Sequence, residues 1–255
     1  MIGSSLLRRL RVATSRRFLA RLHRVTHRMP LELRAVARAR VLVVAPHMDD
    51  AEIACGGTLV LHGRAKSALG VLYLTDSGNT DGQKLSADEL RRIRRAEAER
   101  SARELGAEIV GVGTFPDGSL SLHEDAAAAF AAETIARWKP EQIFCPFPAD
   151  NHRDHQSTAA VVALALETSG WRGEVWCYEV WSALWPNVAI DISGVREEKA
   201  RAIACYASQD GMPYAEAALG LNRFRGLRVG VTAAEAFHVS SAEDFRKLCG
   251  PLFEV

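Results

Sequence analysis

The sequence predicts an α/β fold: a Rossmann-like, mostly parallel sheet with helices on both faces and its functional site at the carboxyl ends of the strands. Two observations carry that expectation. Short, unbroken apolar runs such as Val41-Leu-Val-Val44 are typical of strands buried on both faces. These runs alternate with segments of helical period, the pattern of a parallel sheet wound with crossover helices.

The elements follow in order. From Met1 to Arg40 the cations include Arg8, Arg9, Arg11, Arg16, Arg17 and Arg21, and the only acid is Glu32. Phe18, Leu22, Val25 and Met29 form a helical stripe that Pro30 ends. Residues 1–38 are therefore read as a basic extension and 39–255 as one domain. A basic amphipathic helix suits peripheral contact with an anionic membrane or a partner. An organelle leader or a solvated extension gives the same pattern.

Val41–Val44 and Leu69–Thr75 read as the first buried strands, with Gly56-Gly57-Thr58-Leu59 as a helix entry between them. Ser86-Ala-Asp-Glu89 is a capping box opening a helix that runs to Leu105 and stops at Gly106. On that helix Leu90, Ile93, Ser101 and Leu105 share one face, and so do Arg94 and Glu97. An inward Arg/Glu pair there is either a buried ion pair or part of a site. Further strands are expected at Ile109–Val112, Gln142–Pro146, Val175–Trp181 and Ala189–Ile192, and helices at Ala126–Trp138 and His155–Thr168.

The bulk properties exclude several classes. The chain has 255 residues, 48% of them apolar, and a formal net charge of +1 that argues for no particular partner; nucleic acid is not among the expected ones. No apolar run is long enough to span a bilayer. The five cysteines are scattered without C-x-x-C spacing, which suits reduced thiols in a cytoplasmic protein.

Chemistry concentrates after two of the strands. Pro46-His47-Met-Asp49-Asp50-Ala-Glu52 follows the first buried run, where open α/β sheets form their sites. Adjacent carboxylates and a histidine in one turn need a cation or a donor network to offset their repulsion. Alone, the motif is more often a solvated turn with a helix-capping Asp, because short motifs recur freely. The second cluster, Asp150-Asn-His152-Arg-Asp154-His155, follows the apolar run Ile143–Phe147. Two such clusters, each after a strand and neither containing a thiolate, have the donor types of a catalytic rather than a structural zinc site.

These motifs resemble those of the PIG-L/LmbE family of zinc-dependent N-acetylglucosaminyl deacetylases. The family's His-Pro-Asp-Asp-x-Glu stands here as His47-Met-Asp49-Asp50-Ala-Glu52, and its His-x-Asp-His as His152-Arg-Asp154-His155. Weaker marks in the same order are Gly56-Gly57-Thr58, Arg94-x-x-Glu97, Asp191-Ile192, Lys199 with Ala202, Ser208-Gln209 and Glu235-Ala-Phe237. Met48 departs from the usual proline, and Ala54 stands where glycine is common.

The resemblance implies that His47, Asp50 and His155 bind zinc, or Fe2+ in the cell. It implies that Asp49 is the general base and His152 the acid, that Asp154 orients a histidine, and that Arg94 contacts substrate. It implies hydrolysis of the acetyl group from a small-molecule or lipid-linked N-acetyl sugar. A metal-dependent phosphoesterase and a non-catalytic metal- or sugar-binding module are the rival readings. His62, His123 and His238 read as structural or surface residues. Trp171, Trp176, Trp181 and Trp185 read as core packing ahead of a sugar-stacking platform.

Overall fold

The computed structural model describes residues 31–79, 85–209 and 211–253. The helix expected between Phe18 and Met29 lies outside the described residues. Eight strands form one sheet: β1 (Glu32–Arg34), β2 (Arg40–Ala45), β3 (Ala68–Thr75), β4 (Glu108–Phe115), β5 (Gln142–Pro146), β6 (Glu174–Tyr178), β7 (Val188–Asp191) and β8 (Ala234–Ser241). Their order is β1-β7-β8-β6-β5-β2-β3-β4. Every pairing is parallel except those of β8 with β6 and β7.

The apolar runs are continuous because both faces are covered. On β2, Leu42 and Val44 pack to one side, while Val41, Val43 and Ala45 pack to the other. The first side receives α3 (Glu124–Trp138), α4 (Arg153–Ser169) and α7 (Ala242–Phe253). The opposite side receives α1 (Asp50–Arg64), α2 (Ala87–Leu105) and α5 (Arg196–Ala204). A further helix, α6 (Tyr214–Val229), adds Ala218 to a small cluster with Ile53 and Ile203. Each fully buried Leu or Val contributes roughly 1.5–3 kcal/mol, and that burial aligns the strand ends.

Local chemistry sets the helix boundaries. The Ser86 capping box is complete: Ser86 Oγ accepts from the Glu89 N–H, and the Glu89 carboxylate accepts from the Ser86 N–H. Gly106 ends α2 at φ 67, a left-handed turn that glycine adopts without a Cβ clash. Helix α1 starts at Asp50 rather than at Gly56, with a break at Cys55 (φ −132, ψ 16), so the expected entry at Gly56 opens only its second half. There a Cβ on Gly57 would lie 2.8 Å from Ile192, so glycine permits the close approach.

Three differences from the sequence reading have physical causes. Glu32–Arg34, inside the segment read as an extension, pairs in parallel with β7 at the sheet edge. Strand β6 ends at Tyr178 rather than Trp181, which leaves Glu179–Trp181 as a loop above the strand ends. Ile93 is 37% exposed, so the buried stripe of α2 runs through Leu90, Arg94, Glu97, Ser101 and Leu105 instead.

Candidate metal centre and active site

Strand β2 is flanked by β3 on one side and β5 on the other, and the chain leaves it for β3 before returning to β5. That reversal opens a crevice at the carboxyl ends of β2 and β5, the usual place for a site in such sheets. His47 follows β2, and Asp50 begins α1. Across the crevice, His152 caps α4 and His155 lies in its first turn. Both motifs thus meet where two helix N-termini converge.

Asp50 lies between the two histidines. Its Oδ2 is 3.1 Å from His47 Nδ1 and accepts from the His47 backbone N–H at 3.0 Å. Its Oδ1 is 3.3 Å from His155 Nε2. Neither ring nitrogen of His155 has an aligned hydrogen-bond partner among the described residues, although the ring is fully buried. Orphaned imidazole nitrogens beside a carboxylate fit a cation better than a closed hydrogen-bond network. His47, His152 and His155 each offer a ligand atom, and these lie within 4.8 Å of one another. The donor set therefore suits a divalent metal.

Further carboxylates engage the other ring nitrogens, and Asp117 among them lines the crevice, where His47, Asp117 and Asp154 also bring ligand atoms within 4.8 Å of one another. His47 Nε2 is 3.2 Å from Asp154 Oδ2 and 3.1 Å from Asp117 Oδ1, which leaves Nδ1 toward Asp50. Asp154 is itself held by the Gly118 N–H at 2.7 Å and the Leu120 N–H at 3.1 Å. His155 Nδ1 is 3.6 Å from Asp150, which leaves Nε2 toward Asp50. Such partners set tautomer and orientation at metal sites. Asp117 and Asp150 have no place in the two motif patterns. The turn Pro116-Asp117-Gly118 after an apolar run was the available signal for one, and proximity to His152 for the other.

The electrostatics follow from crowding. Burial opposes protonation of His47, but Asp117, Asp154 and Asp50 outweigh it and hold the pKa well above the ordinary value. Burial likewise opposes protonation of His155, and Asp50 and Asp150 raise its pKa to about 9. Asp50 resists its own burial and is lowered by His155 and His47. Asp49 differs: burial and then the charge of Asp50 push it up to about 7. Its Oδ2 accepts from Gln209 Nε2 at 2.7 Å.

His152 Nδ1 accepts from the Asp154 backbone N–H at 3.2 Å, so the neutral ring carries its proton on Nε2. Burial, then the charges of His47 and His155, lower its pKa. Met48 is buried and its N–H donates to Ser77 Oγ at 3.0 Å, a bond that a proline here could not make.

Arg94 and Glu97 are both buried, yet they form no ion pair among the described residues, which corrects one reading of the pair. Glu97 instead accepts from Ser208 N at 2.8 Å and Ser208 Oγ at 2.5 Å, fixing the 3-10 turn Ala207–Gln209. Arg94 lines the crevice with His47, Asp49, Asp50 and His152, around a cavity of about 200 Å³. Its buried Nε has no partner among the described residues.

The aromatic expectation holds for Trp176, which is buried and stacks on Phe144 at 5.2 Å. It fails for Trp181 and Trp185, which are 47% and 42% exposed. Trp181 lines the crevice and lies over His152 at 6.4 Å and 26°. His62 bonds Ser67 at 3.0 Å and His238 the Trp185 carbonyl at 3.2 Å, both away from the site. All five cysteines are free.

Comparison with known proteins adds an independent line. Residues 42–166 match the PIG-L family, described as GlcNAc-PI de-N-acetylase. A diacetylchitobiose deacetylase of Thermococcus kodakarensis is 28% identical over 190 residues, covering 67% of this chain and 70% of its own length. A 2'-N-acetylparomamine deacetylase of Streptomyces fradiae is 28% identical over 207 residues, covering 68% and 74%. The fold is similar to that of the N,N'-diacetylchitobiose deacetylase of Pyrococcus horikoshii, with a TM-score of 0.72 and 25% identity over 81% of this chain and 86% of that one. The family match spans both histidine motifs and the strands that carry them, and over that segment the chain is similar to the PIG-L family.

Proposed function

We propose that the protein is a metal-dependent hydrolase that removes the acetyl group from an N-acetylglucosamine-type sugar conjugate. The observation that carries this reading is the meeting of His47, Asp50 and His155 with Asp49, His152 and Arg94 around one crevice. His47 Nδ1, Asp50 and His155 Nε2 would hold the ion, zinc in the first instance and Fe2+ as the alternative in the cell. The bound ion supplies a Lewis acid that polarises an acyl oxygen and acidifies water.

The remaining roles belong to the chain. Asp49 is the general base: its carboxylate lines the crevice beside Asp50, where burial and then the Asp50 charge raise its affinity for a proton. The Gln209 hydrogen bond on Oδ2 leaves Oδ1 for that proton. His152 donates a hydrogen bond from Nε2 to the developing oxyanion, because the Asp154 N–H occupies Nδ1, and the proton that Asp49 takes from water is the one passed on to the leaving nitrogen. Asp154 and Asp150 keep His47 and His155 oriented. Arg94, which lines the crevice, offers its guanidinium to sugar oxygens. The sugar class is supported by the relatives, whose names specify acetylated amino-sugar substrates.

Acetate release from a panel of N-acetylglucosaminides, by metal-loaded protein and by His155→Ala, tests this reading. Release by the parent and none by the variant is expected. Silence of the metal-loaded parent across the panel would overturn it.

A lipid-linked sugar fits a cytoplasmic protein whose basic N-terminal stretch touches an anionic membrane. Removing residues 1–30 spares β1, which begins at Glu32. Such a deletion should reduce binding to anionic vesicles, and unchanged binding would exclude the membrane contact.

A further inference from the structure

Helix α6 carries apolar residues all round, which is normal for a helix covered on every side. Among the described residues it is covered on one side only, through Ala218, Asn222, Arg225 and Gly226. On the open side Phe224 and Leu227, one turn apart, are 56% and 80% exposed. Exposed Arg223 and Arg228 flank them, and the helix's one acid, Glu216, lies two turns from Phe224.

Buried Arg225 joins this face to the loop that follows β6. It donates to both oxygens of Glu179, and its Nη2 also donates to the Leu184 carbonyl at 2.8 Å. Its guanidinium lies 5.8 Å from the centre of the Phe224 ring. Trp185, next to Leu184, is exposed, so an exposed aromatic adjoins each partner of that hydrogen bond. The basic stretch joins the structure at the same place. The Glu32 N–H donates to the carbonyl of Asn187, two residues after Trp185, at 2.9 Å. Two residues span at most about 7 Å. Residues 1–30, which lead into that strand, carry eight arginines and no acid.

Clustered exposed apolar side chains mark an interaction surface. Large aromatic and aliphatic groups bordered by cations have the composition of a face that lies in the headgroup region of an anionic bilayer. A second copy of the chain fits less well. Symmetric pairing through this face would bring Arg223, Arg228 and both basic stretches together, which like charges oppose. Anionic headgroups would neutralise the same cations.

We propose that the open side of α6 and the Trp185 loop dock on an anionic membrane, with residues 1–30 as the electrostatic tether. Tyr214, the first residue of α6, meets Trp181 at 6.1 Å between rings, and both line the crevice. Leu227 is about 20 Å further along the helix, so the docked face adjoins the crevice. The substrate class this favours is an N-acetyl sugar carried on a lipid of the same bilayer. That consequence rests on the deacetylase reading, whereas the docking itself does not.

The test is partition of the metal-loaded full chain onto vesicles of phosphatidylcholine alone and of an equal mixture of phosphatidylcholine and phosphatidylglycerol. Acetate release from a soluble N-acetylglucosaminide is read separately. The mixed vesicles should bind the protein at least about 10-fold more strongly than the neutral ones. Phe224→Ser combined with Leu227→Ser should weaken binding to the mixed vesicles about 10- to 100-fold, as for two side chains that enter an interface only in part. Because both positions are exposed, the double variant should keep the parental Tm and the parental turnover of the soluble sugar. Equal binding by parent and double variant would overturn the docking face, because residues 1–30 would then suffice. A parent dimer that the double variant splits would also overturn it, in favour of a second copy as the occupant. Silence on the soluble sugar with vesicle binding intact would overturn the deacetylase reading and leave the docking face standing.

Discussion

Two buried charge clusters flank α1, and they are built on opposite rules. At its first turn, Asp50 sits between His47 and His155, whose ring nitrogens are orphaned or shared among several carboxylates. At its break, Glu235 accepts from Gly57 N at 2.8 Å, Thr58 N at 2.7 Å and Lys199 Nζ at 2.6 Å. Lys199 and Glu235 are almost wholly buried, and the pair closes on itself. The closed cluster locks the second half of α1 against β8 and so fixes where the first half points. The open cluster keeps its lone pairs for a ligand. Burial alone does not separate architecture from chemistry; satisfaction of the polar atoms does.

Breaking each cluster should therefore have different consequences. The largest effect is expected from Asp49→Asn. Loss of the base should lower kcat about 10²- to 10⁴-fold, measured as acetate release, with metal content retained. Asp49 has a raised pKa in the folded protein, so its ionisation destabilises the native state increasingly as pH rises from 3.8 through about 7. The metal-free Asn variant should accordingly melt no lower than the parent above pH 7. Near-parental turnover would remove Asp49 from its assigned role.

Lys199→Met should do the reverse. It leaves Glu235 buried without its cation, a change that typically costs about 3–5 kcal/mol. Denaturant unfolding should register that loss. A silent Lys199→Met would show that the pair is not what holds α1.

The open cluster should also respond to pH in a way the closed one does not. Without metal, His47 and His155 have raised folded-state pKa values, the latter to about 9. Their stabilising contribution is complete below the unfolded value near 6.5 and is lost as pH rises through about 9. The metal-free protein should lose stability across that window, and metal loading near pH 7.5 should release protons, readable by calorimetry in buffers of different ionisation enthalpy. Metal uptake without proton release would argue against imidazolium in the metal-free site.

His62 provides the smallest and most local contrast. It is buried away from the crevice, and burial lowers its pKa to about 4. Its contribution is present above the unfolded value near 6.5 and fades as pH falls toward 4. His62→Gln should flatten the acid loss of stability in that window by on the order of 1–3 kcal/mol. An unchanged acid limb would show that His62 does not titrate with unfolding.

Legibility differed between the same regions. The strands β2, β3 and β5 were readable because burial on both faces leaves unbroken apolar runs. The Ser86 cap and the Gly106 stop were readable because their chemistry is local. Strand β8 and helices α5 to α7 are not legible as elements in the sequence, although Lys199 and Glu235 stand within them as weak family marks. Strand β8 runs antiparallel in a sheet whose pattern announced only parallel strands, and α6 carries apolar residues all round, so periodicity gives no face.

The sequence alone determined the two motifs, their position after buried strands and the donor types they carry, because these depend on neighbours within a few residues. Only the tertiary structure decided that Asp117 and Asp150 lie against His47 and His155, and that Glu97 and Ser208 deliver Gln209 to Asp49. It also decided that Trp185 and Phe224 stand exposed beside the Arg225–Leu184 contact. Each of those depends on contacts between residues distant in the chain, and a lone carboxylate or amide carries no mark of which partner the fold will bring to it.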